Sequence, residues 1–162
     1  MIKMADLKVS FEKAGFTNIL TYINSGNVIF ESTGKTTQEI IDILEKKLSK
    51  DFDYESHVVV RSQTELKKMK NDAPKSWTTS TDLRRYVGFL QDATLTKEAI
   101  AEIPVREGVD ELDHRENVLY MTTKLAEKTK SGFTRMIGKP IYKKMTIRDY
   151  KTVLKVLALM EK

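Results

Sequence analysis

Tyr22-Ile23-Asn24-Ser25-Gly26-Asn27-Val28-Ile29-Phe30 decides how this chain is read. Two β-rich runs meet at Ser25-Gly26, and the glycine of that pair can take the positive φ that a tight hairpin turn demands. With Ser25 and Gly26 as the loop, Ile23 faces Val28 and Thr21 faces Phe30. Ile19, Ile23, Val28 and Phe30 then share one side of the hairpin, and Leu20, Tyr22 and Ile29 the other. Both sides are apolar, so both ask for cover. The expected cover is the rest of the chain, with a partner subunit or a ligand as the alternatives.

Working outward, the periodicity alternates between helix and strand. Ala5, Leu7, Phe11 and Ala14 recur at helical spacing ahead of Gly15, a suitable stop. Beyond the hairpin, Thr36 or Thr37 can cap a helix whose apolar face is Ile40, Ile41, Ile43, Leu44 and Leu48. Val58 to Arg61 reads as a returning strand, followed by a short helix carrying Glu65, Leu66 and Met69. Pro74 and the Ser76-Trp77-Thr78-Thr79-Ser80-Thr81 run break both periodicities, so residues 71–82 are expected to link two halves, 1–70 and 83–162. The second half repeats the grammar: a strand at Leu83 to Leu90, a helix near Thr96 to Glu102, strands around Asp110 to His114 and Asn117 to Thr123, and a long last helix. The expected class is α+β, built from two plait-like units in one chain.

Composition excludes several chemistries. The 162 residues include no cysteine, which rules out disulfides, thiolate nucleophiles and cysteine metal sites. No apolar run is long enough to span a bilayer and none near Met1 resembles a signal peptide, so the expectation is a cytoplasmic protein without a membrane partner. The net charge of +5 is unevenly placed. Lys124 to Lys162 holds 11 Lys and Arg against 3 Asp and Glu, while the preceding residues hold 17 against 20. Basic character belongs to the tail.

Few residues carry recognisable chemistry. Asn24-Ser25-Gly26-Asn27 lacks the strand-turn-helix frame of a nucleophile elbow, so turn geometry accounts for Ser25. His57 and His114 sit in no pattern of a general base or metal pair. Asp110-Glu111-Leu112-Asp113-His114-Arg115-Glu116 is densely acidic, but strand alternation sends Glu111 and Asp113 one way and Asp110 and His114 the other, which reads as a solvated hairpin. No phosphate-cradling glycine motif is present, and no cofactor is implied. Tyr86 and Phe89 point to opposite faces of their strand, unlike the base-stacking aromatics of RNA-recognition modules.

The tail gives the strongest positive signal. Thr146 is a candidate N-cap with Asp149 at the third helical position. The helix that follows would place Ile147, Tyr150, Leu154, Leu157 and Ala158 on one face and Arg148, Lys151, Lys155 and Lys162 on another. Upstream, Lys128, Lys130, Arg135, Lys139, Lys143 and Lys144 add charge, with Phe133 and Tyr142 interleaved. Such a surface suits a phosphate backbone with bases stacked on the aromatics, although lysine-rich helices commonly present such a face to solvent alone.

Lys3-Met4-Ala5-Asp6-Leu7, the hairpin, Val60-Arg61, Arg85-Tyr86-Val87-Gly88-Phe89-Leu90 and Thr146-Ile147-Arg148-Asp149-Tyr150-Lys151-Thr152-Val153-Leu154-Lys155 together resemble the bacterial family known as domain of unknown function 1697. The resemblance runs nearly end to end and implies two ferredoxin-like α/β plaits. It implies no activity, substrate or cofactor. Members begin with an apolar strand and an Arg-Gly-Ile-Asn-Val-Gly-Gly type loop, which are missing here. If that loop holds a ligand, this chain lacks that part of the site. The absent strand would also leave Val28 to Phe30 and Val58 to Val60 with unpaired backbone, and self-association through an exposed sheet edge is expected.

Two functions are consistent with these residues. With no acid–base or nucleophile pair in view, the first is a non-catalytic binding module using Lys151, Lys155 and Arg148 on nucleic acid or another polyanion. The alternative is a small-molecule binding protein or enzyme holding an anionic ligand in a cleft between the halves. The resemblance places its distinctive polar residues, Asn24, Asn27, Arg61 and Arg148, near such a cleft, and Ser25 is a further candidate binding residue beside Asn24.

Overall fold

The computed structural model describes residues 2–23 and 26–162. The fold is α+β with two separate antiparallel sheets, and the chain divides into two compact units, 1–63 with 155–162, and 64–154.

In the first unit, helix α1 (Met4–Lys13) leads into strands β1 (Thr17–Tyr22) and β2 (Asn27–Glu31), then helix α2 (Thr37–Phe52). Gly15, at φ 101°, reverses the chain after α1, a conformation open to glycine at little cost. Thr36 caps α2 in a reciprocal box: its hydroxyl accepts from the Glu39 N–H while the Glu39 carboxylate accepts from the Thr36 N–H. Leu7, Phe11, Phe16, Ile19, Ile40, Leu44 and Leu48 form the core, and the Phe16 and Phe30 rings meet at 4.8 Å.

The hairpin register differs from the two-residue turn expected. Tyr22 pairs with Asn27 and Thr21 with Val28, so the ladder stops two residues earlier and Ile23 stands outside it at φ 55°. Asn24 and Ser25, expected in that turn, lie outside the described residues. A bulge between Thr17 and Leu20 adjusts the strand, with Asn18 at positive φ donating from its amide to Glu31. The shift of two preserves the expected division of faces. Ile19, Val28 and Phe30 serve the core, whereas Leu20 on the opposite face is 45% exposed.

Val58 to Arg61 forms no strand, contrary to expectation. Val58 and Val60 still pack on the core, but the Val58 N–H donates to the Glu45 carboxylate and the Arg61 guanidinium donates to the Val60 carbonyl. Side chains occupy the positions that a neighbouring strand would otherwise fill.

The second unit begins with α3 (Gln63–Asp72) and α4 (Ser76–Thr79), then β3 (Leu83–Leu90), α5 (Thr96–Glu102), β4 (Asp110–Arg115), β5 (Val118–Lys124), three short 3-10 helices (Leu125–Lys130, Gly132–Met136, Pro140–Lys144), β6 (Met145–Asp149) and the start of α6 (Tyr150–Met160), whose residues from Lys155 onward belong to the first unit. The strand order β4-β5-β3-β6 is a plait, with the first strand of the unit paired on both sides. Tyr86, Leu90, Leu119, Met121 and Met145 line one face, covered by Ala99 of α5, by Ile103 just after it and by Phe133, Met136 and Ile141.

Residues 71–82, expected as a linker, instead build the cover of the opposite face. Trp77 is 2% exposed, donates its indole N–H to the Thr122 hydroxyl at 2.7 Å, and meets the Tyr120 and Tyr150 rings at 5.5 and 4.6 Å. Tyr120 donates to the Met69 carbonyl at 2.7 Å, and Arg85 donates to the Trp77 carbonyl at 2.5 Å. Short-range periodicity breaks there because one large aromatic anchors the segment from across the sheet.

Candidate nucleic-acid interface

The basic tail is held by a buried carboxylate. Asp110 accepts from the Ser131 and Thr123 hydroxyls and the Gly132 N–H, each at 2.7 Å, and from the Arg106 N–H at 3.0 Å. Burial alone would raise its pKa. The four donors outweigh burial and hold the carboxyl below its ordinary value. Asp110 is therefore a structural anchor rather than the solvated hairpin residue expected from strand alternation.

Gly132 follows because nothing larger fits. A Cβ there would stand 2.9 Å from the Pro104 carbonyl oxygen, an immovable backbone atom. The 3-10 helix that begins at Gly132 has three residues per turn, so Phe133 and Met136 share its inner face and enter the core. Much of what remains outside is charged: Lys128, Lys130, Arg135, Lys139 and Lys143 are all exposed. Lys144 alone of this segment is paired, its ammonium 3.3 Å from Glu98. Phe133, expected as a stacking aromatic, is buried. Tyr142 remains 37% exposed.

The start of the last helix also moves. Residues 145–149 pair with β3, and the Asp149 carboxylate, rather than Thr146, accepts the Lys151 N–H at 2.8 Å to begin α6. Thr146 to Asp149 form strand because β3 offers its free edge; local capping signals cannot register that partner. Ile147 consequently belongs to the sheet, and the buried stripe of α6 is Tyr150, Val153 and Leu157, with Ala158 exposed.

The expected cationic stripe is thereby divided. Lys151 and Lys155 are exposed one turn apart on α6. Arg148 sits on β6 opposite Val87, half-buried, and donates to the Ile147 carbonyl at 2.9 Å. Burial lowers its pKa, although a guanidinium stays charged. Arg61 is half-buried in the first unit, and Asn27 donates across the hairpin to the Tyr22 carbonyl at 3.1 Å, a structural duty. Phe89 and Val87 are buried on the face covered by Trp77, while Tyr86 packs on the other, so the sheet presents no aromatic platform.

Among the described residues no cluster of three His, Asp or Glu is placed to hold a metal, and no helix is long and apolar enough to cross a membrane. His57 is exposed between Glu45 and Glu55, at 3.5 and 3.3 Å. Sequence reasoning missed Asp110, Gly132 and Trp77 as the positioning residues. The lone tryptophan inside a supposed linker was the one available signal.

Comparison with known proteins gives a fold and a family. The conserved bacterial protein SP0830 from Streptococcus pneumoniae has a similar structure, with TM-score 0.84 and 20% sequence identity, over 100% of this chain and 91% of that one. At that identity the likeness speaks for the fold alone. No curated protein matches the chain. The family described as "Protein of unknown function (DUF1697)" matches residues 1–120, three-quarters of the sequence, and the chain belongs to it.

Proposed function

We propose that the protein is a non-catalytic binding module that engages nucleic-acid phosphates through its basic C-terminal segment. One observation carries the reading. Among the described residues, Lys128, Lys130, Arg135, Lys139 and Lys143 are exposed and none forms an ion pair, on a segment fixed in place by Asp110 and by Phe133, Met136 and Ile141, and Lys151 and Lys155 are likewise exposed and without ion pairs on α6. Exposed lysines that serve solubility alone are commonly interspersed with carboxylates, whereas Lys124 to Lys144 carries seven cations and the single carboxylate of Glu127. A preorganised cationic surface gains affinity by releasing counterions from phosphates.

The corrected geometry chooses the residues to test. Replacing Lys139, Lys143, Lys151 and Lys155 with Gln should weaken binding to mixed-sequence nucleic acid uniformly and flatten the salt dependence by about one unit of slope for each phosphate no longer neutralised. Arg148→Gln should alter binding less, since its side chain is half-buried. Salt-titrated fluorescence anisotropy reads both. Unchanged affinity in the fourfold variant would remove nucleic acid as the ligand.

A further inference from the structure

Gly138 has no structural reason to be glycine. Its φ lies outside the left-handed region, and a Cβ built on it would meet nothing within 4 Å. The contrast is with Gly132, six residues earlier, where protein backbone excludes any side chain, and with Gly15, where a positive φ favours glycine. A bare backbone at an open position admits close approach by another molecule.

Its surroundings describe that molecule. Gly138 lies between Ile137, the most exposed large apolar residue described at 63%, and Lys139. Two successive turns, Lys139 N–H to the Met136 carbonyl at 2.9 Å and Tyr142 N–H to the Lys139 carbonyl at 3.1 Å, fold Ile137 to Tyr142 into one compact projection. That projection combines apolar and aromatic surface with Arg135, Lys139 and Lys143, all exposed and, among the described residues, without ion pairs. Phosphates alone would satisfy the cations but leave Ile137 and the Tyr142 ring with no complement. A duplex hides its base faces by stacking, whereas a single strand offers them beside its phosphates.

Building on the function proposed above, we infer that the Ile137–Lys143 projection selects single-stranded over duplex nucleic acid. The strand backbone would pass over Gly138, with an unstacked base against Tyr142. The full chain should bind a labelled oligothymidylate more tightly than a mixed-sequence duplex of equal length at the same salt. Tyr142→Ala should reduce that preference about tenfold, in line with the loss of one stacked base. Gly138→Val should also reduce it, while its melting temperature stays at or above that of the parent.

Binding to neither probe would overturn both this inference and the function it rests on. Equal or tighter binding to duplex, or a preference untouched by Gly138→Val, would overturn the single-strand inference alone. Binding only to vesicles containing phosphatidylserine would overturn both and assign the projection to an anionic membrane surface.

Discussion

In the second unit β3 has a strand on each side, β5 and β6. In the first, β2 has β1 on one side and, among the described residues, no strand on the other. The two units otherwise follow one order: a helix, a hairpin, a second helical segment and a returning extended segment. The second precedes that order with β3, and the first starts it at α1. The consequence shows in the fourth position, where β6 pairs along β3 while Val58 to Arg61 packs its valines on the core without joining a sheet. A returning segment becomes a strand only when a central strand supplies hydrogen bonds.

The edges differ as well. β4 closes one side of the second sheet with Glu111, Asp113, His114 and Arg115 exposed, charges that discourage pairing with another chain. Asn27 to Phe30 on β2 carries no charge. Charge therefore marks the edge strand of the second sheet and is missing from Val28 to Phe30 of β2.

The most direct way to break this comparison is to offer β2 a second neighbour. A version with an apolar strand fused ahead of Ile2 should melt higher and self-associate less than the 162-residue chain. Light scattering and thermal denaturation of the two forms measure this. If the unextended chain is strictly monomeric and melts no lower, β2 does not gain from a second neighbour.

Next in size is a pair of substitutions, one per unit. Trp77→Ala should cost about 3–5 kcal/mol, because it opens a cavity beneath Tyr120 and Tyr150 and orphans Thr122. Leu20→Ser, on the uncovered hairpin face, should change stability by no more than about 0.5 kcal/mol. Similar losses in urea denaturation would mean that the hairpin's outer face is covered too.

Gly132→Ala should destabilise by about 1–3 kcal/mol, since the new methyl group meets the Pro104 backbone. Acid sharpens the same region. The folded pKa of Asp110 lies below its unfolded value of about 3.9, so its contribution is fully present above that pH and declines as pH falls through the folded pKa. Asp110→Asn should shrink this acid-dependent part of the unfolding free energy; an unchanged pH profile would deny the anchor. The smallest effect is at Ile23. Asn tolerates the left-handed backbone better than a β-branched residue, so Ile23→Asn should stabilise the hairpin by about 1 kcal/mol in thermal denaturation.

Much of the fold was legible because its signals are local. Periodicity located α1, α2 and α3, the Thr36 cap, and most of the order from β3 to β5. The failures share a cause in contacts from distant residues. Thr146-Ile147-Arg148-Asp149 satisfies a capping pattern, yet the open edge of β3 claims it as strand. Residues 71–82 look like a linker until Thr122, Tyr120 and Tyr150 close around Trp77. For the candidate interface, the charge of the tail was plain in the sequence. Which aromatic stays outside was not, since Phe133 and Tyr142 are told apart only by the three-residue period of helices that the core imposes.

The sequence by itself determined the α+β class, the family resemblance, the absence of cysteine chemistry and the concentration of positive charge after Thr123, because composition and short-range periodicity need no partner. Only the tertiary structure decided that Asp110 ties the basic segment to the sheet, that Arg148 leaves the lysine stripe for β6, and that Gly138 stands open while Gly132 is enclosed. Each of these depends on which atoms from distant parts of the chain stand within a few ångströms, and residue spacing along one segment carries no such information.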